Sequence, residues 1–291
     1  MEQRLLNGYE EVTYEALNRA SAPYGAHVFP KVRVADVLRL ENSGIPASHY
    51  SYGLRSHFDF VVTDQDYKPL FSVEFDGPLH QTNRAQRHRD SLKNELCEHF
   101  NHSLLRINSR HLTKSFRGLD LLTYFVDAWF LEAAFDEAQR NGSVPYDEPF
   151  DMTFVFSTGS SEQPKWPYWL SLDIQLSIQR LHDDRRIGQM APSYHVGLDE
   201  QKNYRCLTWI VFDANTVVAA TSGVRAQKFP AVCKSELASM LAMFELYPKI
   251  QDALSGNRTT LVDRKRFFKN SLPVFEAKFP MVSAGSVGAT I

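Results

Sequence analysis

Apolar and polar positions change period along this chain, and the changes mark out its elements. Between residues 8 and 21, Tyr9, Val12, Thr13, Ala16 and Ala20 share one stripe at helical spacing, which predicts a helix. "HVFPKVRVADVL" then reads as a strand interrupted by Pro30. A proline has no N–H for a ladder bond, so it suits an edge or a bulge. "LENSGIPASHYSYG" is rich in turn formers and predicts a loop over residues 41–55. Two strands follow, at about 57–63 and 70–76, joined through "TDQDYKP" as an antiparallel hairpin. Helical spacing returns over about 82–101, where Ala85, Leu92, Leu96 and Phe100 share a stripe. "SLLRI" at 103–107 is a short buried strand, and a long amphipathic helix covers about 117–140.

"RNGSVPYDEPFD" punctuates the chain and separates a domain at 1–142 from another at 146–291. Beyond it the pattern predicts a strand at 152–156. "LSLDIQLSI" alternates like a strand, while its continuation suits a helix equally well. A hairpin over "CLTWIVFDANTVVAATS", a helix at about 233–254 and a frayed end, "SAGSVGATI", complete the reading. The second domain is therefore expected to be α+β, with dimerisation or target recognition as its candidate roles.

Composition narrows the class. With 43% apolar and 23% charged residues the chain has enough material for a core, and a formal net charge of -2 excludes a polycation but not a local basic face. No run approaches the roughly 18 to 20 apolar residues of a membrane helix. "MEQRLLNGYEEV" lacks the layout of a signal peptide. Cys97, Cys206 and Cys233 are scattered, without metal spacing. A reduced, cytoplasmic protein with no membrane partner is expected.

The hairpin carries the chemistry. Successive strand side chains alternate faces, so Phe58, Phe60 and Val62 should point one way and Asp59 the other. On the second strand Phe71, Val73 and Phe75 oppose Glu74 and Asp76. Carboxylates are poor strand formers and costly to bury. Three of them converging without a cation would force one to hold a proton, whereas hard oxygen ligands suit Mg²⁺ or Mn²⁺. Residues 80–114 then bring His80, Arg84, Arg87, His88, Arg89, Lys93, Arg106, Arg110 and Lys114 against only Asp90, Glu95 and Glu98. Lys93 borders the apolar stripe of its helix, from where its ammonium can reach back to the acids. Basic groups around a metal-bearing acid cluster are what a phosphodiester substrate requires.

Five linked features now stand in order: Asp59 in "FDFVV", "VEFDG" at 73–77, His80, "RDSLK" at 89–93 and "LLRI" at 104–107. Together they resemble the PD-(D/E)XK, restriction-endonuclease-like nuclease superfamily. The nearest branch is that of very-short-patch repair endonucleases and related bacterial domains of unknown function. The resemblance covers about residues 10–115. It implies an α/β, restriction-endonuclease-like core, a mixed sheet flanked by helices, acting as a Mg²⁺- or Mn²⁺-dependent endonuclease. Asp59 and Glu74 would be metal ligands, Asp76 a ligand or supporting acid, and His80 or Lys93 would assist the attacking water. Arg84, Arg87, Arg89 and Arg106 would bind the nucleic acid, with DNA favoured. Such domains serve restriction, repair or phage and mobile-element defence, as homodimers or with a partner protein.

One departure matters. The superfamily places a lysine two residues after the second acid, and this chain has Asp76. Either Lys93 takes over from the helix, or the site works with an extra carboxylate and His80. The missing lysine also admits an inactive nuclease fold serving as a nucleic-acid-binding or scaffold module. A metal-free hydrolase using two carboxylates, such as a glycosidase, is a further rival, but it leaves the basic helix without a purpose. Plainer readings compete at single residues: Asp90 and Lys93 make an i, i+3 surface pair, and Arg106 simply pairs with an acid. Glu10, Glu11 and Glu15 lie on the first helix, where the superfamily often has an acid, yet a solvated face explains all three. Farther on, Trp166, Tyr168 and Trp169 suit base stacking or, more simply, a core. "HDDRR" at 182–186 reads as a solvated charge run, and "DRKRFFKN" at 263–270 interleaves basic and aromatic residues. Neither a "GxSxG" elbow nor a phosphate-binding glycine loop occurs.

Overall fold

A four-stranded mixed sheet with helices against it occupies the first half of the chain. The computed structural model describes residues 4, 6–76, 84–113, 118–155 and 168–285. It divides into two units: residues up to Phe150 together with Gln227–Val232, and Asp151–Ala226 together with the chain from Cys233 onward. The boundary at 142–146 read from the sequence had left Gln227–Val232 to the second domain.

In the first unit, α1 (Gly8–Ser21) starts at a capping box: Asn7 accepts from the Tyr9 and Glu10 amides, and the Glu10 carboxylate accepts from the Asn7 amide. It buries Thr13, Ala16, Leu17 and Ala20. β1 (His27–Arg33) leads into a single helical turn, α2 (Val34–Val37). Residues 41–55 are not all loop, because Ala47–Arg55 form α3. Then come β2 (His57–Thr63), β3 (Pro69–Phe75), α4 (Arg84–His99), β4 (Ser103–Ile107) and α5 (Leu121–Arg140). The sheet order is β1-β2-β3-β4, antiparallel except for the parallel β3–β4 pair. Pro30 thus sits in an edge strand, where its missing N–H breaks no inner ladder.

Aromatic contacts show what packs on each face. Tyr14 of α1 stacks on Phe60, and Phe71 meets Trp129 of α5. Phe58, Val61 and Leu104 form a second cluster with Val34, Leu38, Leu96 and Cys97. Phe58 therefore does not share a face with Phe60. Strict alternation breaks at Asp59, which lies opposite Lys31, a residue held at φ 54°. That left-handed backbone is rare for a lysine and costs of order 1–2 kcal/mol.

Gln227–Val232 closes the unit at its other edge. Phe229 is fully buried against Phe71, Phe125 and Trp129. The Leu104 amide donates to the Lys228 carbonyl, and the Arg106 amide to Gln227 Oε1, each at 2.8 Å. The outward N–H groups of β4, which an open edge would leave for a foreign strand, are thereby satisfied.

The second unit holds an antiparallel sheet of order β8-β7-β6-β5-β9, with β5 Ser193–Leu198, β6 Tyr204–Val211, β7 Thr216–Val224, β8 Leu261–Asp263 and β9 Met281–Gly285. α6 (Leu172–Asp183) and α7 (Lys234–Leu254) bury Ile178, Met243, Leu246 and Ile250 against Ile210 and Val218. The short α8 (Arg264–Arg266) and α9 (Leu272–Lys278) flank Phe267, which packs with Leu207, Val217, Leu272 and Phe275. One open alternative is resolved here and two expectations are corrected. Residues 172–183 are helical throughout, one of the two readings open for that stretch. Residues 152–154 form a 3-10 turn rather than a strand, because Asp151 takes the Thr153 amide and hydroxyl and closes the backbone locally. The end is not frayed from Ser283, since Ser283 and Ala284 pair with β5. Trp166 and residues 286–291 lie outside the described residues.

Candidate functional site

The β2–β3 ladder runs as far as Phe60 opposite Val73, and one step further would set Asp59 opposite Glu74. There the side chains take over from the backbone. The Phe75 amide donates to Asp59 Oδ2 at 3.0 Å, and the Asp59 amide donates to Glu74 Oε1 at 3.3 Å. Each acid thus holds the opposite strand, which fixes both carboxylates on rigid backbone.

Glu74 is buried, and Lys93 reaches it from α4 with Nζ 2.7 Å from Oε1. The same ammonium donates to the His57 carbonyl at 2.8 Å and lies 5.5 Å from the centre of the Phe58 ring. Burial raises the Glu74 pKa and the Asp59 charge adds to it; Lys93 and Arg106 oppose the rise without cancelling it. Burial, with the Glu74 charge next in weight, also pushes the Tyr52 phenol and the Cys97 thiol up to about 12.

Asp76 goes elsewhere. Its amide donates to the Ile107 carbonyl at 2.7 Å, and its carboxylate lies 3.3 Å from Arg106 Nη1. Arg106 sits beside Glu74 in the parallel β3–β4 register and also contacts Asp90 at 3.5 Å and Asn94 at 3.0 Å. Its side chain is 2% exposed, so the guanidinium organises β3, β4 and α4 and has no open path to a substrate phosphate. The expected convergence of three carboxylates therefore resolves into two charge groups, Asp59–Glu74–Lys93 and Asp76–Arg106–Asp90. Among the described residues no three His, Cys, Asp or Glu side chains are arranged to hold a metal ion.

The other anticipated residues divide as follows. His80, Lys114 and the side chains of Arg84 and Arg87 lie outside the described residues. Arg89 is exposed and bonded to Gln86, and Arg110 is exposed. Asp90 and Lys93 do not form the i, i+3 surface pair, since each is engaged across the fold. Lys31 had no signal in the sequence. From β1 it bridges Asp59 Oδ1, at 2.9 Å, and Glu10 Oε1, which singles out Glu10 among the three acids of α1. Partial burial would lower the Lys31 pKa, but its hydrogen bonds and charge contacts with Glu10 and Asp59 outweigh this, and the net shift is upward.

The donor set suits a hard divalent cation at Asp59 and Glu74. Both are carboxylates held by backbone N–H groups. Glu74 Oε2 accepts no hydrogen bond from any described residue, and the Glu74 pKa is raised by burial and by its acidic neighbour. Lys31 lies against the same Asp59 oxygen, Oδ1, at 2.9 Å.

Residues 2–117, which include every residue of this site, match the family model described as "Protein of unknown function (DUF2726)". No curated protein and no solved structure matches the chain. Among the described residues, no helix is long and apolar enough to cross a membrane.

Proposed function

We propose that this chain is a metal-dependent nuclease that hydrolyses nucleic-acid phosphodiester bonds, with DNA favoured by the sequence resemblance. The observation that carries the reading is the buried Glu74, locked to Asp59 across two strands and met by Lys93 from the next helix. Lys93 supplies from α4 the ammonium that the resemblance expects two residues after Glu74, where Asp76 stands instead. The mixed sheet with α4 between its parallel strands agrees with a restriction-endonuclease-like core.

Asp59 and Glu74 would hold the Mg²⁺ or Mn²⁺, which supplies positive charge to a phosphoryl oxygen. In the reaction, water adds to phosphorus and gives up a proton, the bond to one sugar oxygen breaks, and the departing oxygen takes a proton. Lys93 aims the Glu74 carboxylate and favours its ionised form, offsetting part of the cost of its burial. Arg106 fixes Asp76 at the mouth of β3 and β4. A second reading, an inactive fold that binds nucleic acid, is favoured by one observation: Lys31 and Lys93 already neutralise the two central acids.

Supercoiled plasmid and single-stranded DNA, incubated with the protein in Mg²⁺, Mn²⁺ or EDTA, separate the two. The nuclease reading expects metal-dependent cutting, lost in Asp59→Ala and Glu74→Ala. DNA binding without cutting in any metal, and unaffected by Asp59→Ala, would establish the binding module instead.

A further inference from the structure

The two lysines at the acids are not equivalent. The Lys93 side chain is 8% exposed, and its ammonium is engaged by Glu74 and the His57 carbonyl. The Lys31 side chain is 39% exposed and makes two ion pairs, to Glu10 and Asp59. Lys31 also occupies a left-handed backbone, φ 54°, within β1. A non-glycine residue rarely keeps that conformation unless its surroundings enforce it, and such residues cluster at functional sites. Glu10 is in turn fixed by the helix cap, because its second oxygen accepts the Asn7 amide. The ammonium is thus placed from three sides: by its own backbone, by the cap of α1, and by Asp59.

We propose that Lys31 is an exchangeable counter-ion, holding the metal position at Asp59 in the metal-free protein and binding a substrate phosphate once displaced. The inference rests on the nuclease reading and adds to it a residue that neither the sequence nor the resemblance identified. With Asp59 engaged by Mg²⁺ or Mn²⁺, the ammonium keeps one of its two carboxylate partners, Glu10, whose side chain is 13% exposed, and has donors to spare. A phosphodiester oxygen can then take the place of Asp59 as an anionic acceptor of a charge-assisted hydrogen bond. Lys93, buried and held by Glu74 and the His57 carbonyl, remains the positioning residue for Glu74.

The consequence is a pair of effects with opposite signs. Removing the charge in Lys31→Met removes a competitor for Asp59, so Mn²⁺ should bind about three- to tenfold more tightly by calorimetry without substrate. With Ca²⁺ in place of Mg²⁺, a single-stranded oligonucleotide should bind more weakly by fluorescence anisotropy, with a salt slope reduced by about 0.7. Lys31→Arg keeps the charge and should stay near wild type in both. Lys31→Asn is the second neutral variant, because Asn tolerates positive φ and guards against a folding defect. Unchanged or weaker Mn²⁺ affinity in both neutral variants, in a protein that still cuts DNA, overturns the role of Lys31 and leaves the nuclease reading standing. A wild-type protein that neither binds Mn²⁺ nor cuts overturns both.

Discussion

Replacing Lys93 by Met tests the buried ion pair at the centre of the site. The ammonium lies 2.7 Å from Glu74 Oε1, with side chains 8% and 10% exposed, so water cannot replace it. At an effective dielectric of about 20 the attraction is roughly 6 kcal/mol, most of it offset by desolvation. Without Lys93, Glu74 cannot stay ionised and takes up a proton. Near pH 7 that proton costs about 3 kcal/mol relative to the ordinary value of 4.5, and the lost bond to the His57 carbonyl adds about 1. An acid whose folded pKa is raised binds its proton more tightly when folded. Its stability is therefore intact below about 4.5 and declines as pH rises through the folded value. Lys93→Met should lose about 3–4 kcal/mol near pH 7 and only about 1–2 near pH 5. Adding Glu74→Gln, which keeps an acceptor for the Asp59 amide but carries no charge, should recover most of the difference. Urea unfolding followed by circular dichroism at both pH values gives the comparison. A loss that is equal at the two pH values, or a double variant no better than Lys93→Met, would show that the pair is not the electrostatic unit described.

Two further outcomes are expected from the first unit. Phe229→Ala should destabilise it by about 3–5 kcal/mol, since Phe229 fills a fully buried aromatic site; thermal unfolding with limited trypsin digestion would read this as earlier cleavage within residues 1–150. Burial, with a smaller push from Lys228, lowers His102 from 6.5 to about 4, and its Nε2 lies 2.8 Å from Ser72 Oγ. Below about 6.5 the unfolded chain binds a proton that the native state refuses, so this group removes up to about 3 kcal/mol as pH falls from 6.5 to 4. Urea midpoints across that range should slope less in His102→Gln, and an unchanged slope would exclude His102 as the source.

Local pattern carried the reading only where local forces decide. The helical stripe at 8–21 and the apolar run at 103–107 are written in side-chain period, and the chain obeys it. α3 was hidden because "NSGIPASHYSYG" spends its residues on turn formers. Its helix is held by packing: Tyr50 and Tyr52 lie against the Phe58 cluster, and a Cβ at Gly53 would meet Leu40 Cδ1 at 2.5 Å. Asp151 misled in the opposite direction, since a side-chain cap overrode an apparent alternation. At the site, Asp59 and Glu74 were legible because acids in apolar strands need a reason. Lys31 was not, because no neighbour in the sequence announces a left-handed lysine. The engagement of Asp76 by Arg106 depends on the parallel register of β3 and β4, which is set by contacts 30 residues apart along the chain.

The peptide Gln227–Val232 has a consequence for how the protein is made. Synthesis delivers all four strands of the first sheet well before residue 227 leaves the ribosome. Throughout that interval the Leu104 and Arg106 amides have no Lys228 or Gln227 to receive them, and the pocket of Phe71, Phe125 and Trp129 is empty of Phe229. A nascent chain in that state offers an open strand edge beside an aromatic hollow, the combination that recruits chaperones and invites strand exchange. The first unit therefore completes its fold only after most of the second has been translated, and a fragment ending near Phe150 would never do so.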